Sequence, residues 1–202
     1  MARAESKAIM GYLPIDSKHH KAITSLVAPA TPNHRLLDPF AGEGEFLEVA
    51  SKAWHVTPYA NELDGNRAEQ CIQRFGPKQA VRCDVERLIA SNNAFSLGWF
   101  NPPYDHDALS SGNKRVEFRY LRHAWKWIAD GGIIMWAVYL HHLTEGATAF
   151  LSKYSTQVDV WALPGKHLGA YDQIVVVAIK GTQPDPEKLY AHIMTQKANP
   201  QI

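Results

Sequence analysis

Two cysteines, Cys71 and Cys83, are the only thiols in this 202-residue chain. Two thiols cannot build a disulfide scaffold and are too few to ligate zinc, so the expected setting is a reducing cytoplasm. Charge of one sign is also missing, because 21 basic residues against 20 acidic give a formal charge of +1. A polyanionic partner would have to be held by a local cationic patch, not by a global excess. No stretch approaches the apolar length of about 18 residues that a membrane span needs, and the leading MARAESKAIMGYLP has no signal-peptide core. Repeats and low-complexity tracts are absent too, which argues against a second domain.

What remains is ordinary globular composition, 46% hydrophobic and 20% charged. A domain of this length buries roughly 70% of its unfolded surface. Asp16 or Ser17 can cap a helix over about 17–28, which the PATPN segment ends before the apolar run Arg35-Leu36-Leu37. Helix character around 46–50 is followed by a strand near 55–61, a helix near 65–75, a strand near 79–83 and the apolar run 94–100. After Asp130-Gly131-Gly132, the run 133–140 reads as a fully buried strand, and Thr144 can cap a helix to about Lys153. The runs 158–163 and 174–180 suggest a terminal antiparallel hairpin. Alternating strands and helices predict an α/β fold with six or seven strands in one sheet.

The segment Asp38-Pro39-Phe40-Ala41-Gly42-Glu43-Gly44 puts two glycines where a strand turns into a helix, so backbone can approach a ligand closely. A tight turn that binds nothing could carry the same pair, and the downstream acids decide between the two. Glu62 lies 24 residues after Asp38, at the end of the next strand, where a carboxylate can accept both ribose hydroxyls of a nucleoside. Leu63 would flank the adenine. Asp84, 22 residues further on, can accept a hydrogen bond from an adenine amino group. A dinucleotide dehydrogenase would carry a third glycine where this chain has Leu47. A sulfonium cofactor has no phosphate to hold, and Asp38 can meet its ammonium group.

Asn101-Pro102-Pro103-Tyr104 follows an apolar strand at the ligand-binding edge of such a sheet. Two prolines fix φ near −65° and remove two N–H donors, so the Asn101 side chain and the Pro102 carbonyl can both accept. An exocyclic NH2 group needs two such acceptors, which draw electron density toward its nitrogen and orient it toward a methyl held in line. Asn101 is an amide and cannot act as the base. Tyr104 offers a face on which a flipped base can stack.

With these residues in place, the sequence resembles the class I S-adenosylmethionine-dependent methyltransferases, specifically the amino-methylating group with an NPPY-type motif. The resemblance covers roughly 11–180. The order of Tyr12-Leu13-Pro14, DPFAGEG, the acids and NPPY is similar to that in adenine-N6 DNA methyltransferases. It implies a Rossmann-like, doubly wound, mostly parallel seven-stranded sheet with a C-terminal antiparallel hairpin. It also implies a cofactor site drawn from Tyr12, Asp38, Pro39, Phe40, Ala41, Gly42, Gly44, Glu62, Leu63, Asp84, Val85 and Asn101. Catalysis would fall to Asn101, Pro102, Pro103 and Tyr104. The expected chemistry uses S-adenosylmethionine, yields S-adenosylhomocysteine and needs no metal.

The expected organisation is a single methyltransferase domain over 1–202, with 181–202 as an extension. Only 98 residues follow Tyr104, so a separate target-recognition domain is not expected. Loops, a protein partner or a second copy would then supply specificity. NPPY also occurs in guanine-N2 RNA and protein-glutamine methyltransferases. The substrate readings are therefore adenine N6 in DNA first, then RNA adenine N6 or guanine N2, then protein glutamine, with a catalytically silent cofactor-binding subunit as the non-enzymatic alternative.

Nucleic acid is expected along a helix starting at Lys114, where Arg115, Arg119, Arg122 and Lys126 form one stripe. Phe118, Leu121, Trp125 and Ile128 form the opposite, packed stripe. Lys166 with His167 in the hairpin loop could also reach it. The pairs His19-His20 and His141-His142 lack the companions that a metal site requires.

Overall fold

The computed structural model describes residues 14–28, 33–103, 116–163 and 173–201. Tyr12, Tyr104, Lys114, Arg115, Lys166 and His167 lie outside the described residues.

One seven-stranded sheet organises the chain. Its strands are β1 (Arg35–Asp38), β2 (Thr57–Glu62), β3 (Ala80–Arg82), β4 (Phe95–Phe100), β5 (Ile128–Tyr139), β6 (Ser155–Ala162) and β7 (Gln173–Lys180). The order is β3-β2-β1-β4-β5-β7-β6. Strands β1 to β5 pair in parallel, while β7 runs antiparallel to β5 and β6 antiparallel to β7. The terminal antiparallel hairpin is thus as predicted. The order reverses direction between β1 and β4, the switch point where open α/β sheets bind ligands.

Helices α1 (His20–Thr24), α2 (Glu45–Trp54), α3 (Gly65–Phe75), α4 (Val116–Ala124), α5 (Glu145–Tyr154) and α6 (Pro186–Ala198) complete the fold. Alternation along each strand divides the core into two layers. Leu36, Trp99 and Met135 join Leu47, Ala50 and Trp54 of α2 on one face. Phe100, Trp136 and Val138 join Leu121 of α4, Leu151 of α5 and Ile193 of α6 on the other.

Local chemistry sets the boundaries. Asp64 caps α3 by accepting from the Asn66 and Arg67 N–H groups at 3.1 and 3.0 Å. Thr144 caps α5 through the Ala147 N–H, as its sequence position predicts. The helix expected over 17–28 is shorter, a 3-10 turn at Ser17–His19 followed by α1. The helix carrying the basic stripe also stops early. It ends at Ala124, tightens into a 3-10 turn at Trp125–Trp127 and hands Ile128 to β5.

That strand begins five residues before the predicted start because it runs through Gly131-Gly132. Gly131 has φ +77°, and a Cβ on Gly132 would lie 2.8 Å from the Ala129 carbonyl. The glycine pair therefore folds a bulge into the strand instead of ending a loop.

Helix α6, which has no counterpart among the sequence-based elements, closes the far end. Gln196 accepts from the Val160 N–H at 2.7 Å, and Gln201 exchanges backbone hydrogen bonds with Val160 and Ala162. The edge of β6 is thereby covered. No helix among the described residues is long and apolar enough to cross a membrane.

Candidate active site at the carboxyl edge of the sheet

The carboxyl ends of β1, β2 and β3 deliver the three acids to one edge. Asp38 closes β1, Glu62 closes β2 and Asp84 follows β3 by two residues. Each is tied to backbone in its own neighbourhood. Asp38 Oδ1 accepts from the Phe40 N–H at 3.0 Å, and Asp84 Oδ1 accepts from the Glu86 N–H at 3.0 Å.

Glu62 is tied most heavily. Its Oε2 accepts from the Gly42 N–H at 2.9 Å, while Oε1 accepts from the Asp64 N–H at 2.8 Å and from Arg67 Nη2 at 3.0 Å. The carboxylate is 5% exposed. A carboxylate offers about four lone-pair positions, so the three bonds leave one, on Oε2, for a ligand hydroxyl.

The glycine loop owes its shape as much to protein as to ligand. Gly42 and Gly44 have φ +57° and +78°, in the left-handed region. A Cβ on Gly44 would come within 2.7 Å of Phe75 on α3, so this glycine lets α3 close onto the start of α2. Cys71, also on α3, donates its thiol to the Gly42 carbonyl at 3.2 Å. Burial pushes that thiol up to about 12, so it stays protonated as a donor.

Two hollows meet at this edge. A cleft of about 520 Å³, its open mouth included, is lined by Glu62, Leu63, Asp84, Val85, Phe40 and Tyr120, together with Asn101 and Pro103. A second hollow of about 370 Å³ is lined by Asp38, Ala41, Phe46, Trp99 and His20, and again by Phe40 and Asn101. Flat apolar walls with two carboxylates suit a nucleoside. Leu63 is 49% exposed there, an apolar side chain left open at a ligand-sized cleft. The smaller hollow ends on a buried acid, which suits a cationic group.

Asp38 is 2% exposed. Burial, together with the nearby Glu62 charge, raises its carboxyl well above the ordinary aspartate range, against the pull of the Phe40 N–H. A bound cation would favour its ionised form. The two hollows joined at Phe40 and Asn101 thus match the two ends of S-adenosylmethionine. Among the described residues, no group of three or more His, Cys, Asp or Glu side chains could hold a metal ion.

Three contributors carry no recognisable signal in the sequence. Asn61 donates through Nδ2 to the Pro39 and Cys83 carbonyls, both at 3.1 Å, and so ties the exit of β1 to that of β3. Arg67 holds Glu62. Tyr120 packs against Phe40 with ring centroids 5.2 Å apart and planes tilted by 40°, which brings α4 over the cleft. Two contacts hold the first turn of helix α4 in place. Arg119 pairs with Glu86, and Glu117, with 0% exposure, lies 3.1 Å from His142 Nδ1 beyond the end of β5.

The basic stripe is therefore divided. Arg119 spends its charge on Glu86 and on the Tyr120 ring, at 5.0 Å from its centroid, whereas Arg122 and Lys126 are exposed. The histidine pairs combine ring and polar contacts: His20 meets Phe46 edge-on at 5.1 Å and bonds the Ile15 carbonyl at 3.3 Å, and His142, beside Glu117, lies against His141 at 4.1 Å.

The same fold recurs in solved methyltransferases. A type I restriction-modification methyltransferase subunit from Streptococcus thermophilus is 15% identical with a TM-score of 0.63, over 93% of this chain and 53% of that one. The chain thus spans about half the length of that subunit. A predicted O-methyltransferase from Agrobacterium tumefaciens is 20% identical with a TM-score of 0.59, over 81% of each chain. A tRNA (m1A58) methyltransferase from Aquifex aeolicus is 14% identical with a TM-score of 0.60, over 84% of this chain and 71% of that one. Identities this low establish the fold alone. No curated protein matches the chain significantly. The model of the Uncharacterised methyltransferase family (DUF6094) matches residues 1–199, and the chain belongs to that family.

Proposed function

We propose that this methyltransferase acts on an exocyclic amino group of a nucleobase, adenine N6 in DNA. The observation that carries the reading is the position of Asn101, which lines both hollows at the exit of β4 and is followed by two prolines without N–H groups. An acceptor-rich segment at that junction suits a substrate that arrives with two N–H bonds. A hydroxyl substrate brings only one hydrogen and gains nothing from a second acceptor.

S-adenosylmethionine supplies an electrophilic methyl group, and the protein's own residues do the rest. Glu62, Asp84 and Leu63 hold the nucleoside end, Asp38 receives the ammonium, and Tyr12, Pro39, Ala41, Gly42, Gly44 and Val85 complete the cradle. Asn101 Oδ1 and the Pro102 carbonyl accept hydrogen bonds from the two amine hydrogens, directing the nitrogen lone pair at the methyl; the N–C bond would form as the methyl–sulfur bond breaks, and the surplus amine proton would pass to water. Pro103 fixes the segment, and Tyr104 stacks on the extruded base. Lys114, Arg115, Arg122 and Lys166 contact phosphates. Loops, a protein partner or a second copy of the chain select the target site.

The test is methyl transfer from labelled cofactor to separate DNA, RNA and protein pools. Label in DNA is expected. Label confined to protein would overturn the reading, and label confined to RNA would move the same amine chemistry to RNA.

A further inference from the structure

Outside the two hollows, the joined outer faces of α4 and α5 carry a row of three partly exposed rings. Phe118 on α4 meets Phe150 on α5 with centroids 5.7 Å apart, and Phe150 meets Tyr154 at 4.9 Å. A cation sits over each terminal ring: Arg122 lies 5.9 Å from the Phe118 centroid, and Lys153 lies 5.4 Å from the Tyr154 centroid. Tyr154 is 42% exposed, and both cations are exposed without a carboxylate partner among the described residues. Phe118 and Phe150 also rest on the core beneath them, but packing does not account for the exposed Tyr154 ring or for the cations above the two ends.

The row also has a direction. Helix α4 follows the Asn101 segment and α5 follows the end of β5, so the first turns of both helices lie at the carboxyl edge. Nine to ten helical residues carry the row about 15 Å away from that edge. Of the two glutamates on these helices, Glu117 is buried against His142, which leaves Glu145 as the exposed acid.

We propose that this row binds single-stranded nucleic acid, the stretch that flanks a base held at Asn101. Bases stack on the ring faces and phosphates meet Arg122 and Lys153, with Lys126 next in line. This deepens the nucleic-acid reading above and rests on it. Charge favours a polyanion over a protein occupant, because both free charges of the row are positive.

The test uses the full chain and a short labelled oligothymidylate, which contains no adenine and so reports binding apart from transfer. Fluorescence anisotropy is measured across a salt series. Arg122→Glu with Lys153→Glu is expected to weaken binding by on the order of tenfold or more and to lower the slope of log affinity against log salt by about 1.4, that is about 0.7 for each lost phosphate contact on a single strand. Tyr154→Ala is expected to weaken binding about fivefold with the slope unchanged.

Cofactor affinity by calorimetry serves as the folding control and should stay at the wild-type value in all variants. Unchanged affinity and slope in folded variants would overturn the proposal, as would a loss of equal size at every salt concentration in the charge-reversed variant. Transfer to a DNA or RNA substrate at wild-type KM in the charge-reversed variant would sink the row alone. Transfer only to protein would sink the nucleic-acid reading and the row with it.

Discussion

The two sides of the carboxyl edge are built on opposite principles. At the ends of β1 to β3, every acid is already bonded to the protein, and Asn61 ties one exit to another. At the end of β4, the chain leaves through an amide and two prolines, whose backbone has no N–H to tie down. The first side is a preformed network whose buried acids suit a charged cofactor. The second offers acceptors and, at its two prolines, no backbone donors, which suits a reacting amine. Binding and transfer should therefore separate cleanly under mutation.

The largest effect is expected from Asn101→Ala. Transfer should fall by about 10³, in line with the loss of one preorganised polar contact at a reacting centre, while cofactor affinity by calorimetry stays near wild type. Equal losses in both would merge the two sides.

Asp38→Asn should do the reverse. Cofactor binding is expected to weaken about 10- to 100-fold through loss of a charge-assisted contact. The cofactor-free variant should also melt higher than wild type. An acid whose folded pKa is raised favours folding fully below its unfolded value and loses that contribution as pH rises through the folded one. Buried Asp38 is such an acid, so wild-type stability without cofactor should decline from the ordinary aspartate range upward, and the asparagine variant should lack that decline. Melting curves across pH, with and without cofactor, check the sign.

Tyr120→Ala sharpens the boundary between the sides, because this ring comes from α4 and rests on Phe40 of the glycine loop. A loss of about 5- to 10-fold in cofactor affinity, with little change in transfer at saturation, is expected from one aromatic contact.

The parts of this design that were legible in the sequence are those fixed by local chemistry. Gly42, Gly44 and the recurring acids announce strand-to-helix turns, and Pro102-Pro103 announces a chain that cannot donate. Those signals place β1 to β4 and the edge they share. Long-range pairing was invisible. Arg67 reads as one more charge on a polar helix face until β2 brings Glu62 beside it, and Asn61 reads as a strand residue until two carbonyls converge on it. The Arg119 stripe was divided for the same reason, since Glu86 comes from a loop 33 residues away. The glycine pair at 131–132 misled because the same residues that break a strand also bulge one.

The most direct test of the central claim is the identity of the methylated atom. After transfer from labelled cofactor to DNA, nuclease digestion and mass spectrometry of the nucleosides should show the label on the exocyclic N6 of adenine. Label on a ring nitrogen, on an oxygen or only on glutamine would contradict the account.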